Sequence, residues 1–204
     1  MLKASSHIAT QTAAAATISG HLYRASLIAK RMALSAKNSR AMVLRAGTKA
    51  AGLKVISDYF DELAGKTIRL STTINQSAIS ISQNSVRRWR TQTFLDRIHQ
   101  SQTRLGDDKA LQLNNATGLG QDSLKDLAHT LLAQLSTLKE QLADIHQYMQ
   151  SSNVVAVTFR LEATQTGEFQ PLLVNMANTI DGLSNDIKHH ITASQNQLDQ
   201  FNIK

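Results

Sequence analysis

The chain of 204 residues has no cysteine, one proline and few aromatic residues, which form only 4% of the sequence. Without cysteine it can form neither a disulfide nor a thiolate metal site, and it fits a reducing compartment better than a secreted one. Because proline and the aromatic strand formers are scarce while 42% of the residues are hydrophobic, helix is favoured over strand. We therefore expect a single all-α domain over residues 1–204.

Signals for the membrane and for catalysis are also missing from the sequence. No apolar run approaches the ~20 residues that span a bilayer, so we expect a cytoplasmic protein that does not insert into a membrane. The stretch "RAGTKAAG" lacks the terminal Lys-Ser/Thr of a phosphate-binding loop. The neighbouring His189 and His190 point about 100° apart on a helix, which suits one metal ion poorly. We expect no enzymatic activity, no metal and no cofactor.

The net charge of +7 is distributed unevenly. Residues 1–105 hold 16 Lys and Arg against 4 Asp and Glu, whereas residues 106–204 hold 6 against 11. A basic half of this kind is typical of a nucleic-acid surface. It equally suits two halves that pack on each other, since unlike charges favour their association.

The sequence is rich in a hydrophobic repeat that alternates steps of four and three residues, the pattern of a helix in a coiled coil or bundle. Four segments carry this repeat, which we call seams. The seams run through Ile18, Leu22, Met32 and Val43; through Ile56, Phe60, Leu63, Leu70 and Ile74; through Leu138, Leu142, Met149 and Phe159; and through Ile180, Leu183 and Ile187.

A shift of 120 residues relates the first two seams to the last two. It takes Ile18 to Leu138, Phe60 to Ile180 and Gly47 to Gly167. Because the helical registers and the glycines repeat together, the sequence predicts a tandem duplication of a helical hairpin.

Glycines mark the two hairpin tips. Gly47 and Gly52 bracket the first tip, near 47–52, and Gly167 with Pro171 brackets the second, near 167–171. We predict a basic hairpin at 1–105 and an acidic hairpin at 122–204. Together they form a long antiparallel four-helix bundle with both tips at one end.

A connecting loop is predicted between the hairpins, at residues 106–121. This segment reads "GDDKALQLNNATGLGQ" and is rich in Gly, Asn and Asp. Asp122 or Ser123 is then expected to cap the third helix.

The tips carry a family resemblance. Arg45-Ala46-Gly47, Gly52-Leu53 and Leu63-Ala64, together with Leu161-Glu162-Ala163 and Gly167-Glu168, resemble the cytoplasmic signalling tip of methyl-accepting chemotaxis receptors. The first tip has the family's Asn and Arg (Asn38, Arg45) but Met42 and Thr48 in place of its glutamates. The second has both glutamates but Thr158 and Gln165 for the Asn and Arg. Each copy thus holds a different half of the motif.

In that family, two receptor chains each give one hairpin to a dimeric four-helix bundle. The resemblance therefore implies a dimer fused into one chain, a monomeric pseudo-dimer. It also implies a non-enzymatic signalling or scaffold protein that binds chemoreceptors, or the coupling adaptor and histidine kinase, through its tips. The residues implied in partner binding are Asn38, Arg45, Gly47, Gly52, Glu162, Gly167 and Glu168.

An arginine cluster gives an alternative function. Arg87, Arg88 and Arg90 surround Trp89, and guanidinium groups beside an aromatic ring can hold phosphates and stack on a base. The first hairpin would then bind nucleic acid or another polyanion. In the structural interpretation, Trp89 anchors the core and the arginines face acidic residues of the other hairpin.

Overall fold

The computed structural model describes residues 2–102 and 107–199, and these two ranges consist of long α-helices and short 3₁₀ segments. The long helices are α1 (Leu2–Ala46), α2 (Ala51–Gln102), α3 (Asp107–Ala163) and α4 (Gln170–Asp199). Two short 3₁₀ segments join them, the first bend (Gly47–Ala50) and the second bend (Thr164–Phe169). The all-α prediction is confirmed over the described ranges. No helix within them is long and apolar enough to cross a membrane.

Each long helix packs along two others. α1 and α3 each contact both α2 and α4, and the first bend contacts the second. Within the first hairpin Ser19 donates a hydrogen bond to Asn75, whereas Arg40, further along α1, pairs with the earlier Asp58. This inverse order means that α1 and α2 run in opposite directions.

The core lies along the seams. Ile18, Leu22, Phe60, Leu142 and Phe159 are all fully buried. Such positions recur every three or four residues, so one stripe of each helix faces the core. In α2 the stripe is rotated slightly from the prediction: Ile56 and Leu70 are only half-buried, and their neighbours Ser57 and Ser71 are buried instead.

Burial repeats after 120 residues. Between positions 18 and 78, every buried residue except Ala50 has a buried counterpart 120 positions later; Ala50 corresponds to the exposed Gln170. The correspondence extends across the bends, where the helical register is interrupted. Two unrelated helices with a four-three repeat would not be expected to agree across such an interruption. The match in burial therefore indicates that the two hairpins pack in the same way.

Side-chain volume is exchanged between the two copies. Phe60 on α2 and Phe159 on α3 are both buried, with ring centroids 6.2 Å apart. Their counterparts at the 120-residue shift are Ile180 and the small, buried Ser39. Equivalent buried positions of the two hairpins therefore differ in volume, and because a close-packed interior tolerates neither voids nor overlap, the surrounding side chains must differ as well.

Two buried hydroxyl groups bond to carbonyl groups of their own helix. Thr67 donates to the carbonyl of Leu63 at 2.8 Å, and Ser184 is 2.9 Å from the carbonyl of Ile180. Ser184 is also 2.7 Å from the hydroxyl of Ser152 on α3. These contacts satisfy polar groups that would otherwise be buried without partners.

The loop predicted at 106–121 is wrong for residues 107–121, which belong to α3; Gly106 lies outside the described residues. Asp122 and Ser123 consequently lie inside a helix and cap nothing. The physical reason is visible at Gly120, where an added Cβ would come within 2.7 Å of Leu95 on α2. Gly120 is buried, and because it has no Cβ it lets α2 and α3 approach closely. This glycine therefore serves helix packing and does not form a turn.

Two glycines of α3 should respond oppositely to alanine. Gly118 is exposed, and an added Cβ there would have no atom within 4 Å, so Gly118→Ala should raise the free energy of unfolding by about 0.5–1 kcal/mol through helix propensity. Gly120→Ala should lower it by about 1–3 kcal/mol because Leu95 must move. Urea titrations followed by circular dichroism measure both. Equal effects would contradict the close approach at Gly120.

Candidate interaction surface at the two bends

Two glycines make the bends. Gly47 has φ 64° and Gly167 has φ 61°, and they are the only residues with positive φ in the described ranges. They are separated by 120 positions, as the duplication predicts. At Gly167 the ψ angle is −120°, a combination that residues with a Cβ rarely adopt. The chain therefore bends at a glycine within each of the predicted tips, near 47–52 and near 167–171.

The end of α3 is capped by threonines. Thr164 donates to the carbonyl of Leu161 at 2.7 Å, and the buried Thr166 donates to the carbonyl of Ala163 at 2.6 Å. These carbonyls lie where the helix can no longer supply N–H donors. The second bend is therefore closed by its own side chains, and Pro171 follows in the first turn of α4, where a missing N–H is harmless.

The predicted tip residues lie on the outside of the bends and of the adjoining helix ends. Asn38 and Arg45 belong to α1, Gly52 to the first turn of α2, and Glu162 to the last turn of α3. One pair is brought together: a Cβ at Gly52 would lie 3.6 Å from Oε2 of Glu162. All seven residues are exposed, namely Asn38, Arg45, Gly47, Gly52, Glu162, Gly167 and Glu168.

An ion pair recurs behind each bend. Arg40 lies 3.2 Å from Asp58 in the first hairpin. Its counterpart Arg160 lies 2.6 Å from Asp181 and donates through Nε to Asn178 at 3.0 Å. Asn178 is the counterpart of Asp58. The second pair is less exposed, so solvent screens it less. These pairs join the two helices of each hairpin and hold the bend between them.

Exposed apolar side chains concentrate around the bends. Of the large exposed hydrophobic residues in the described ranges, half lie within about four helical turns of Gly47 or Gly167. On α3, Val154, Val157 and Leu161 are 68%, 61% and 67% exposed, and their spacing puts them on one face. The others are Leu34, Leu44, Val55 and Leu172. We call Val154, Val157 and Leu161 the α3 apolar face.

The two bends differ in charge. Residues 34–55 contain five Lys and Arg and no acidic residue, whereas the equivalent residues 154–175 contain one Arg and two Glu. The hairpins thus present a basic bend and a mildly acidic one at the same end of the molecule.

The arginine cluster lies far from the bends. About 35 residues of α2 separate Gly52 from Arg87, a distance of roughly 50 Å along the helix. Arg87 and Arg90 are exposed, Arg88 is half-buried, and Trp89 is 40% exposed. The expectation that Trp89 anchors the core is wrong, because the buried stripe passes through Ser85 and Leu95 instead.

Among the described residues, Arg87, Arg88 and Arg90 form no ion pair with an acidic side chain. Every ion pair found in the described part of the chain joins two residues of the same half. One such pair lies within α2: a hydrogen bond from Lys66 lowers the pKa of Glu62, one turn away on the same helix. The two halves therefore associate through their apolar seams, and the excess positive charge of the first half stays exposed.

The ion pairs and the α3 apolar face were not predicted from the sequence. The ion pairs could have been predicted, because Arg40 and Arg160 recur at the 120-residue shift and an acidic residue follows each of them in the next helix. The α3 apolar face also repeats at three and four residues, but it lies between seam positions and merges with them in a hydrophobicity pattern.

Comparisons with known proteins found no matching family model, no similar curated protein and no similar solved structure. The likeness to chemoreceptor tips accordingly rests on the residues around the two bends.

Substitution of the bend glycines should destabilise both hairpins. Gly47→Ala and Gly167→Ala should each lower the free energy of unfolding by about 1–3 kcal/mol, since alanine is strained at positive φ. Gly182→Ala is the matched control: Gly182 lies inside α4 with open space around it, so alanine should be neutral or stabilising there. Thermal unfolding measures all three, and a bend variant as stable as Gly182→Ala would contradict a positive φ at that bend.

Proposed function

We propose that this protein is a non-enzymatic, chemoreceptor-like scaffold that binds partner proteins through the paired bends. In this proposal the two hairpins form an antiparallel four-helix bundle equivalent to a receptor signalling dimer fused into one chain. The partners are chemoreceptors, or the coupling adaptor and histidine kinase of a chemotaxis-type pathway. The repeat of Gly47 at Gly167, with the two bends in contact, is the observation that carries the proposal.

The shared end of the hairpins supports a docking role. Both bends lie together, so their exposed residues form one continuous end surface. A receptor dimer also presents two hairpin tips side by side, and here one chain supplies both. The ion pairs Arg40–Asp58 and Arg160–Asp181 brace the two hairpins behind this surface, which keeps it preorganised for binding.

The α3 apolar face supports protein partners in particular. Three aliphatic side chains, each more than half exposed, lie on one face beside the second bend. Aliphatic groups exposed in a cluster favour a protein interface, because burial of each releases roughly 1.5–3 kcal/mol. Glu162 directly follows Leu161, and the basic first bend contacts the second bend, so charged groups near the face would form a polar rim.

A binding assay with surface variants tests the proposal. Purified coupling adaptor, kinase and receptor signalling tip are each immobilised, and retention of the chain is measured. Val157→Asp and Leu161→Asp should weaken retention on the order of tenfold, because a carboxylate would be desolvated at the interface. Arg45→Ala and Glu162→Ala should weaken it less.

Leu132→Asp provides the matched control. Leu132 is 53% exposed on the same helix, but it lies roughly 40 Å from Leu161, so retention should be unchanged. If none of the three partners retains the wild-type chain, the proposal is refuted. If Leu132→Asp weakens retention as much as Leu161→Asp, the bends are not the binding surface.

A second candidate function is polyanion binding by the first hairpin. The exposed guanidinium groups of Arg87 and Arg90 have no ion-pair partner in the described residues, and Trp89 beside them is 40% exposed. Exposed cations next to an aromatic ring favour single-stranded nucleic acid.

Salt-dependent DNA binding distinguishes this candidate. Substitution of Arg87, Arg88 and Arg90 by Gln should reduce the slope of log affinity against log salt by about 2–3, one unit per lost phosphate contact. The control replaces Lys30, Arg31 and Lys37 by Gln, which removes the same charge elsewhere on the basic half. Equal losses in both variants would show that total charge, and not the cluster, holds DNA. Absence of DNA binding by the wild type at low salt would refute this function.

A further inference from the structure

Two histidines meet across α1 and α4, 169 residues apart in the sequence. The Nδ1 atoms of His21 and His190 are 3.1 Å apart, and the ring centroids are 5.4 Å apart at an interplanar angle of 45°. Both side chains are half-buried, so water still reaches the pair. The sequence pattern groups His190 with its neighbour His189 and gives no sign of His21, its actual partner.

The separation of the two nitrogens suits a shared metal ion. With metal–nitrogen bonds of ~2.0–2.1 Å, the two coordinating nitrogen atoms are ~3.3 Å apart at a tetrahedral ion. They are ~2.9 Å apart when they are neighbours at a square-planar or octahedral ion. The observed 3.1 Å lies between these values. In the metal-free pair one Nδ1–H donates a hydrogen bond to the other Nδ1. Metal binding therefore requires that this ring carry its proton on Nε2 instead, after which small rotations of the two rings would aim both Nδ1 lone pairs at one ion.

We propose that His21 and His190 form a binding site for a borderline divalent transition-metal ion, such as Zn²⁺, coordinated by both Nδ1 atoms. The described residues contain no group of three or more His, Asp or Glu that could hold one ion. Water therefore fills the remaining coordination positions, and the site is a two-ligand clamp between helices.

The groups around the histidine pair partly favour and partly oppose the binding of a metal cation. Burial is the largest cause that lowers the pKa of each histidine, followed by Arg24 for His21 and by His21 for His190. Both shifts favour the neutral imidazole, which is the form that binds metal. His189 acts in the same direction on both, and Asp186 raises the pKa of His190. The positive charge of Arg24 opposes a bound cation, so its removal should strengthen binding.

The histidine pair is not a product of the repeated packing. At the 120-residue shift His21 corresponds to Gln141 and His190 to Leu70. The equivalent contact between α3 and α2 therefore has no imidazole. The pair is specific to the contact between the first and the last helix, and an ion there would link the two ends of the chain.

Zinc binding to the full-length chain without a histidine tag tests the site. Calorimetry with ZnCl₂ should show one ion bound to the wild type, with a higher melting temperature because only the folded state presents the pair. His21→Ala and His190→Ala should each weaken binding at least tenfold. Arg24→Gln should tighten it, and MgCl₂ should give no response because Mg²⁺ prefers oxygen ligands.

His146→Ala and His189→Ala are the matched controls. His146 is also half-buried but lies on α3, and His189 is the sequence neighbour that does not share the Nδ1 contact. Both should bind zinc like the wild type. Absence of binding in the wild type would overturn the proposal. Undiminished binding by His21→Ala and His190→Ala would also overturn it.

An NMR measurement on the wild type tests the zinc site without relying on the folding of any variant. The chain has seven histidines, and long-range ¹H–¹⁵N spectra resolve each imidazole. Zinc should shift two of them, those of His21 and His190, at their Nδ1 signals. Shifts confined to other histidines would contradict the site even if the alanine variants fail to fold.

Discussion

The fold depends on the packing of narrow apolar seams, in which equivalent buried positions of the two hairpins hold side chains of different volume. Phe159 and Phe60 pack across the core, whereas their counterparts at the 120-residue shift are the buried Ser39 and Ile180. Because dense packing permits little variation in total volume, a change of size at one buried position must be offset by its neighbours. The seams therefore kept their register while individual residues changed, and the bends stayed at the same end.

Much of this arrangement could be predicted from the sequence, because it depends on local period. Steps of four and three residues identify the buried stripes, and a glycine that interrupts the stripe identifies each bend. The sequence misled where glycine has a tertiary role. Gly120 looks like part of a loop until Leu95 of another helix is known to pack on it. Trp89 looks like a core residue, but the stripe of α2 turns away from it by one position.

Only part of the candidate site could be predicted, because the rest depends on tertiary contacts that no local pattern reports. Asn38, Arg45 and Glu162 were found by likeness of sequence, and they are exposed near the bends as a docking surface requires. The α3 apolar face could not be separated from the seams without knowing which helix faces are covered. The contact between His21 and His190 joins residues near opposite ends of the chain, and no local pattern reports a pairing of that kind.

Charge differs between the two hairpins where burial does not. The buried positions of the two hairpins correspond almost throughout, yet residues 34–55 carry five basic residues and residues 154–175 are mildly acidic. Since no ion pair in the described residues links the two halves, this difference does not serve their association. A symmetric receptor dimer presents two identical tips, whereas these bends have unlike potentials. Under the proposed function, a charged partner surface attracted to one bend would not be attracted to the other, so the two bends would not be interchangeable and each should select its own partner surface.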